Sequence, residues 1–160
     1  VIILGIDPGT ATTGYGLIEE KSGKLMLVDY GVITTEANQP LEDRLALIYD
    51  QLGDIIDEYD PDEIAVEELF FSNNAKTAMS VGQARGVILL AAKKSGVNIA
   101  EYTPNEVKNN VCGYGAAGKK QVQKMVVMHL KLTETPQPDD AADALAIAIC
   151  HAGSRKFPKR

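Results

Sequence analysis

The sequence has no tryptophan, and only two cysteines and two histidines among its 160 residues. Cys112 and Cys150 stand in apolar stretches. Two such thiols cannot build a disulfide framework or a zinc site, so they read as buried free thiols in a reducing cytoplasm. His129 and His151 read as structural. No apolar run is long enough to span a bilayer. The first residues lack the basic start and small-residue cleavage site of a signal peptide. Together these give a cytoplasmic chain with no membrane partner. An excess of positive charge is missing too: 16 Lys and Arg face 22 Asp and Glu, a formal net charge of −6. Phosphate contacts need Lys or Arg, so this balance speaks against a surface devoted to nucleic acid. It does not exclude one whose acids gather in a metal site and whose bases gather elsewhere. Internal repeats and interdomain linkers are also absent. The length suits one domain over residues 1–152, with a frayed basic tail over 153–160.

What is present is organised around Val1-Ile-Ile-Leu-Gly-Ile-Asp7-Pro-Gly9. A short apolar run, rich in β-branched residues, stops at a carboxylate and a turn. It reads as a strand covered on both faces. Thr13–Glu19 and Lys24–Thr34 follow as hairpin partners, with Gly14 and Gly16 permitting close backbone approach. A turn at Ser22-Gly23 joins them. A helix with Leu41, Leu45, Ile48, Leu52, Ile55 and Tyr59 on one stripe comes next. Glu63 to Phe70 reads as a fourth strand, parallel to the first because a helix separates it from the third. The remaining elements are a helix over Asn74–Lys94, a strand over Gly96–Glu101, short helices over Pro104–Val111 and Lys119–Leu130, and an Ala-rich helix from Asp139. The expected fold class is α/β.

The acids carry the chemistry. Asp7 alone would be an ordinary turn residue. Asp140 and Asp143, three apart, share one helix face. Asp139 fits a helix N-cap, whereas Asp143 lies deeper in a helix that otherwise reads as core. A carboxylate there must be paired, protonated or on a metal. Glu67 ends the fourth strand, and Glu68 is expected to face solvent. If the fourth strand lies beside the first, Asp7 and Glu67 are neighbours about 4.8 Å apart. One would then take up a proton unless a cation is present. A cluster of oxygen ligands without His or Cys selects Mg²⁺ or Mn²⁺.

Gly5-Ile-Asp7-Pro-Gly9, Thr13-Gly-Tyr-Gly16, Ala65-Val-Glu67, Gly82-Gln-Ala-Arg-Gly86, Lys119-Lys-Gln-Val-Gln123 and Asp140-Ala-Ala-Asp-Ala-Leu-Ala146 stand in this order. Together they resemble the RuvC family of bacterial endonucleases, which resolve Holliday junctions. The resemblance runs from Ile2 to about His151. It implies an RNase H-like fold: a five-stranded mixed sheet, three antiparallel strands then two parallel ones, flanked by helices. It implies a catalytic and metal-binding tetrad of Asp7, Glu67, Asp140 and Asp143. The cofactor implied is a pair of Mg²⁺ ions, with Mn²⁺ able to substitute, hydrolysing phosphodiesters to leave 5′-phosphates. Asp7, on the most rigid mount, is the expected bridging ligand. The implied partners are a four-way DNA junction, a second copy of the chain and branch-migration motor proteins.

The resemblance places DNA contacts at Phe70, Lys108 and Lys119. Of Phe70 and Phe71, one is expected in the core and the other free to stack on a base. Gly115-Ala-Ala-Gly118 carries no charge, so basic contacts fall to Lys119, Lys120 and Lys124. Lysines at a helix N-terminus are unfavourable alone, and a phosphate makes sense of them. The helix over Asn74–Lys94 is apolar nearly all round in its second half. With Met79, Gly82 and Gly86 it is the expected dimer interface. Two other readings stand beside this one, and a non-catalytic interaction domain is a third, for which the retained tetrad leaves little room. The first is an RNase H-like nuclease acting on another branched or hybrid nucleic acid. The second is a nucleotide-binding domain, because Gly5–Thr10 also resembles the phosphate loop of actin-like ATPases and sugar kinases.

Overall fold

The computed structural model describes residues 1–68 and 75–155. Five strands form one sheet in the order β3-β2-β1-β4-β5. β1 (Ile2–Asp7), β2 (Thr12–Lys21) and β3 (Lys24–Thr34) make an antiparallel meander. β4 (Glu63–Glu67) lies parallel to β1, and β5 (Asn98–Tyr102) lies parallel to β4. Ser22 and Gly23 both have positive φ, which closes the β2–β3 hairpin tightly.

β1 is central, and its side chains alternate between two cores. Leu4 and Ile6 join Leu17, Ile33, Ile64 and Val66 on one face. Against them pack α1 (Leu41–Tyr59), through Ile48, Leu52 and Ile56, and α2 (Ala75–Lys94), through Ala84 and Ile88. Ile3, Ile18 and Ala65 face the other side. There they meet α3 (Pro104–Cys112), α4 (Lys119–Leu130) and α5 (Asp139–Ser154). The apolar first run is thus covered on both faces, as its composition requires.

α5 is the innermost helix. From Ala141 to Ala152 every residue except Asp143 is buried. It reaches this depth because small residues meet small residues. A Cβ on Gly5 would stand 2.1 Å from the Ala144 carbonyl oxygen, and one on Gly14 2.0 Å from that of Asp140. The helix backbone therefore rests directly on the backbone of β1 and β2.

Some boundaries differ from the expected ones. β4 ends at Glu67, where the backbone leaves the ladder; Glu68 N–H still donates to the Tyr102 carbonyl at 2.8 Å. Glu68 is half-buried rather than turned fully to solvent. β5 starts at Asn98, because Gly96 has φ of 81° and belongs to the turn. Pro138, not Asp139, caps α5, and no side chain bonds the cap. Asp139 instead accepts from Gln123 at 3.0 Å. Gly153 and Ser154, read as the start of the tail, complete α5. Arg155 pairs with Glu63 at 2.9 Å and Glu20 at 3.3 Å, and residues 156–160 lie outside the described residues.

Both cysteines are free, Cys150 buried and Cys112 half-buried. Both histidines make structural contacts. His129 Nε2 meets the Val111 carbonyl at 3.1 Å. His151 joins the Tyr102 hydroxyl at 2.7 Å to Glu63 at 2.6 Å. Among the described residues no helix is long and apolar enough to cross a membrane.

Candidate active site

The site lies where β1 and β4 end. Parallel pairing sets Ile6 against Val66, so Asp7 and Glu67 leave the sheet as neighbours. Two features hold these strand ends. The Thr13 hydroxyl donates to the Gly9 carbonyl at 2.6 Å and fastens the turn after Asp7. Arg85, reaching from α2, donates from Nε to the Glu67 carbonyl at 3.1 Å and pairs with the Glu101 carboxylate. Across them lies the first turn of α5, set by the Gly14–Asp140 contact. That contact brings Asp140 and Asp143 to the same end of β1. All four predicted carboxylates converge.

Their electrostatics follow from crowding in a place with little water. Burial pushes the Asp7 carboxyl well above the usual range, and the charges of Glu67, Asp143 and Asp140 push it further. Lys119 pulls only weakly the other way. Glu67 is raised to about 7, first by burial and then by Asp143. Its hydrogen bond with Asp7 and the charge of Lys108 oppose the rise. Two carboxyls in a mutual hydrogen bond must share a proton, as expected for such neighbours. Burial also raises Asp143, although Lys119 holds it back by charge and hydrogen bond.

Lys119, the first residue of α4, sits 3.3 Å from Asp139 and 3.5 Å from Asp143. Those acids keep its ammonium proton more firmly than usual, outweighing the opposing effect of burial. The two predicted lysines at the rim, Lys108 and Lys119, line a cleft of about 220 Å³ together with Glu67 and Asp143. Lys120 and Lys124 line a different groove, with Gln123 and Thr133 to Thr135, that contains none of the four carboxylates.

Among the described residues no three Asp, Glu, His or Cys side chains already close around one point as metal ligands. Asp7 and Glu67 face each other, and Asp143 faces Lys119. The chemistry of the set nonetheless fits a hard divalent cation: oxygen donors only, desolvated, and mutually repelling. The shared proton and Lys119 supply the positive charge that such an ion would bring.

Phe70 and Phe71 lie outside the described residues. Met79, Gly82 and Gly86 are on α2, across the sheet from α5, with Met79 75% exposed and Gly86 exposed. Arg85, Thr13 and the tie between Asp139 and Lys119 are supporting contacts that the sequence did not disclose as such. The only signal for the first was an arginine between two glycines in a helix.

A mixed sheet of this order, with carboxylates at the ends of two parallel central strands and on a helix laid across them, defines a nuclease of the RNase H-like class. The family model for crossover junction endodeoxyribonuclease RuvC matches residues 3–151. Crossover junction endodeoxyribonuclease RuvC of Ruminiclostridium cellulolyticum is 53% identical over 98% of this chain and 95% of its own length. That of Desulfitobacterium hafniense is 56% identical over 96% and 93%. The solved structure of Thermus thermophilus RuvC superposes with a TM-score of 0.90 at 36% identity, covering 98% of this chain and 96% of that one. T. thermophilus RuvC in complex with Holliday junction substrate gives 0.89 at 33% identity, over 98% and 96%. The chain belongs to the crossover junction endodeoxyribonuclease RuvC family.

Proposed function

We propose that the chain resolves Holliday junctions by paired, Mg²⁺-dependent cleavage of two opposite strands. The convergence of Asp7, Glu67, Asp140 and Asp143 beside two lysines carries this reading. Family membership gives it its substrate. The four carboxylates would hold the divalent cations, which when bound supply an activated water and charge stabilisation at the leaving 3′-oxygen.

The protein's own groups have definable tasks. Asp7 and Glu67 must give up their shared proton before both can act as ligands. Glu67 is raised to about 7, so its own proton is lost near neutral pH, whereas Asp7 is held well above the usual range and would release the shared proton to the charge of a bound cation. Lys119 neutralises Asp143 and Asp139 while the site is empty of DNA. When a phosphate arrives, Lys119 is free to turn to it, and Asp143 is released at the same moment. Lys108, from α3, lines the same cleft and holds the cut strand by its phosphate. Lys120 and Lys124 take phosphates farther along a junction arm.

A four-way junction offers two equivalent strands, and paired cuts call for two sites related by a two-fold axis. α2 is suited to form that axis. Met79, Gln83, Gly86 and Leu90 follow one another at helical spacing on its exposed side, with Leu90 53% exposed. A Cβ on Gly86 would meet nothing within 4 Å, so another helix has room to approach there.

The test is a set of four variants, Asp7→Asn, Glu67→Gln, Asp140→Asn and Asp143→Asn. Each should abolish cutting while junction binding holds or tightens, since removing negative charge does not weaken phosphate contacts. Cutting by Asp140→Asn, together with its loss in Asp139→Asn, would show that the wrong carboxylate of α5 has been assigned.

A further inference from the structure

β4 is five residues long, and Glu67 is its last. Its pairing with β1 stops one residue earlier, at Ile6 and Val66, so the peptide group joining Glu67 to Glu68 lies beyond that ladder. Yet this one peptide group is held at both of its polar atoms. Its N–H, that of Glu68, donates to the Tyr102 carbonyl at 2.8 Å. Its carbonyl, that of Glu67, accepts from Arg85 Nε at 3.1 Å. Arg85 is itself fixed, because a terminal nitrogen of its guanidinium pairs with the Glu101 carboxylate. Glu101 and Tyr102 are the last two residues of β5. The end of β5 therefore holds the nitrogen of this peptide group directly and its oxygen through Arg85. A planar group tied at both atoms cannot turn about the strand axis.

We propose that Arg85 is a positioning residue for cleavage, which locks the peptide plane after Glu67 and so aims the Glu67 carboxylate at the metal site. The inference rests on the reading above that the four carboxylates are metal ligands. Joining a helix to a sheet needs less than this arrangement. The Arg85–Glu101 pair is partly open to solvent, with side chains 19% and 42% exposed, and such a pair adds little to stability. A lysine would serve for that pair. Only the several donors of a guanidinium serve a carboxylate and a carbonyl at once. Arg85 also comes from α2, on the face of the sheet opposite α5, so it acts on the main chain from behind the site. Glu67 has two tasks: it hydrogen-bonds Asp7 in the metal-free site, and it must turn to a cation when one is bound. With the main chain held, that change is confined to side-chain torsions. With it released, the strand end has to be ordered at each binding event, and groups that orient a metal ligand are worth about tenfold or more in metal affinity.

The test is isothermal titration of Mg²⁺ into the DNA-free protein, which needs no turnover, beside single-turnover cleavage over a range of Mg²⁺ concentrations. Arg85→Ala should bind Mg²⁺ about tenfold more weakly and need about tenfold more of it for half-maximal cleavage, with junction binding unchanged. Arg85→Lys keeps the charge and can still pair with Glu101, but it has one nitrogen for two acceptors. It should fall close to Arg85→Ala. A lysine variant with wild-type Mg²⁺ affinity would reduce Arg85 to a structural ion pair and overturn the proposal. Glu101→Ala removes the anchor of the guanidinium from β5 and leaves the exposed stripe of α2 untouched. It should weaken Mg²⁺ binding in the same direction, by about threefold. Unaltered binding there would overturn the proposal even if the Arg85 variants fail to fold. A wild type that binds no Mg²⁺ refutes the metal-site reading itself. A wild type that binds it, beside variants that bind it equally well, refutes only the role of Arg85.

Discussion

Glu67→Gln should stabilise the metal-free protein above neutral pH while destroying its activity. Glu67 is raised from 4.5 to about 7 in the folded chain by burial and by Asp143. Between those values the folded state holds a proton that the unfolded state has released. Stability from this group is therefore complete below pH 4.5 and is lost as pH rises through about 7. At pH 8 the wild type must keep the carboxylate ionised, at a cost of about 3 kcal/mol. Glutamine has no charge to desolvate, and its side-chain carbonyl can still accept from the Asp7 carboxyl. For a domain of this size each kcal/mol is worth about 2–4 °C in midpoint, so a rise of roughly 5–10 °C is expected at pH 8. At pH 4.5 or below the difference should shrink towards zero. Differential scanning fluorimetry in chelator, across pH 4 to 8.5, reads this directly. Mg²⁺ should then stabilise the wild type more than the variant, because it takes over the same charge. A midpoint for Glu67→Gln at or below the wild type's at pH 8 would refute the account of a strained carboxylate cluster.

Three further outcomes follow from particular contacts. Gly14→Ala drives a methyl against the Asp140 carbonyl, where a Cβ stands at 2.0 Å. It should cost about 1–3 kcal/mol and reduce cleavage far more than junction binding, measured by denaturation and gel shift. Lys119→Met removes the cation nearest Asp143, so it should lower cleavage, destabilise the chelated protein at pH 8, and leave its Mg²⁺-loaded stability closer to wild type. Met79→Glu puts a charge on the exposed stripe of α2. It should give monomers in sedimentation equilibrium that make only single, unpaired nicks; normal resolution by such monomers would move the interface elsewhere.

Much of this was legible in the sequence because its physical causes are local. β1 had to be buried on both sides because Ile3, Leu4 and Ile6 occupy both faces. The convergence of Asp7 and Glu67 followed from one inference, that a helix between β3 and β4 makes β4 parallel to β1. Asp143 stood out because a charge sat alone in an Ala, Leu and Ile helix. What failed to show was non-local or depended on competition between partners. Asp139 looks like an N-cap, yet Pro138 takes the cap position and Lys119 and Gln123 take its side chain. Arg85 reads as one more polar residue of α2 until β4 and β5 are laid beside it.

The most direct test of the central claim is cleavage of a mobile four-way junction with every strand end-labelled, beside a plain duplex and an RNA–DNA hybrid. With Mg²⁺ the protein should cut two opposite strands of the junction at symmetric positions, leave 5′-phosphates, and spare the other two substrates. Cutting that persists in excess chelator, or that is as fast on duplex or hybrid as on the junction, would contradict it.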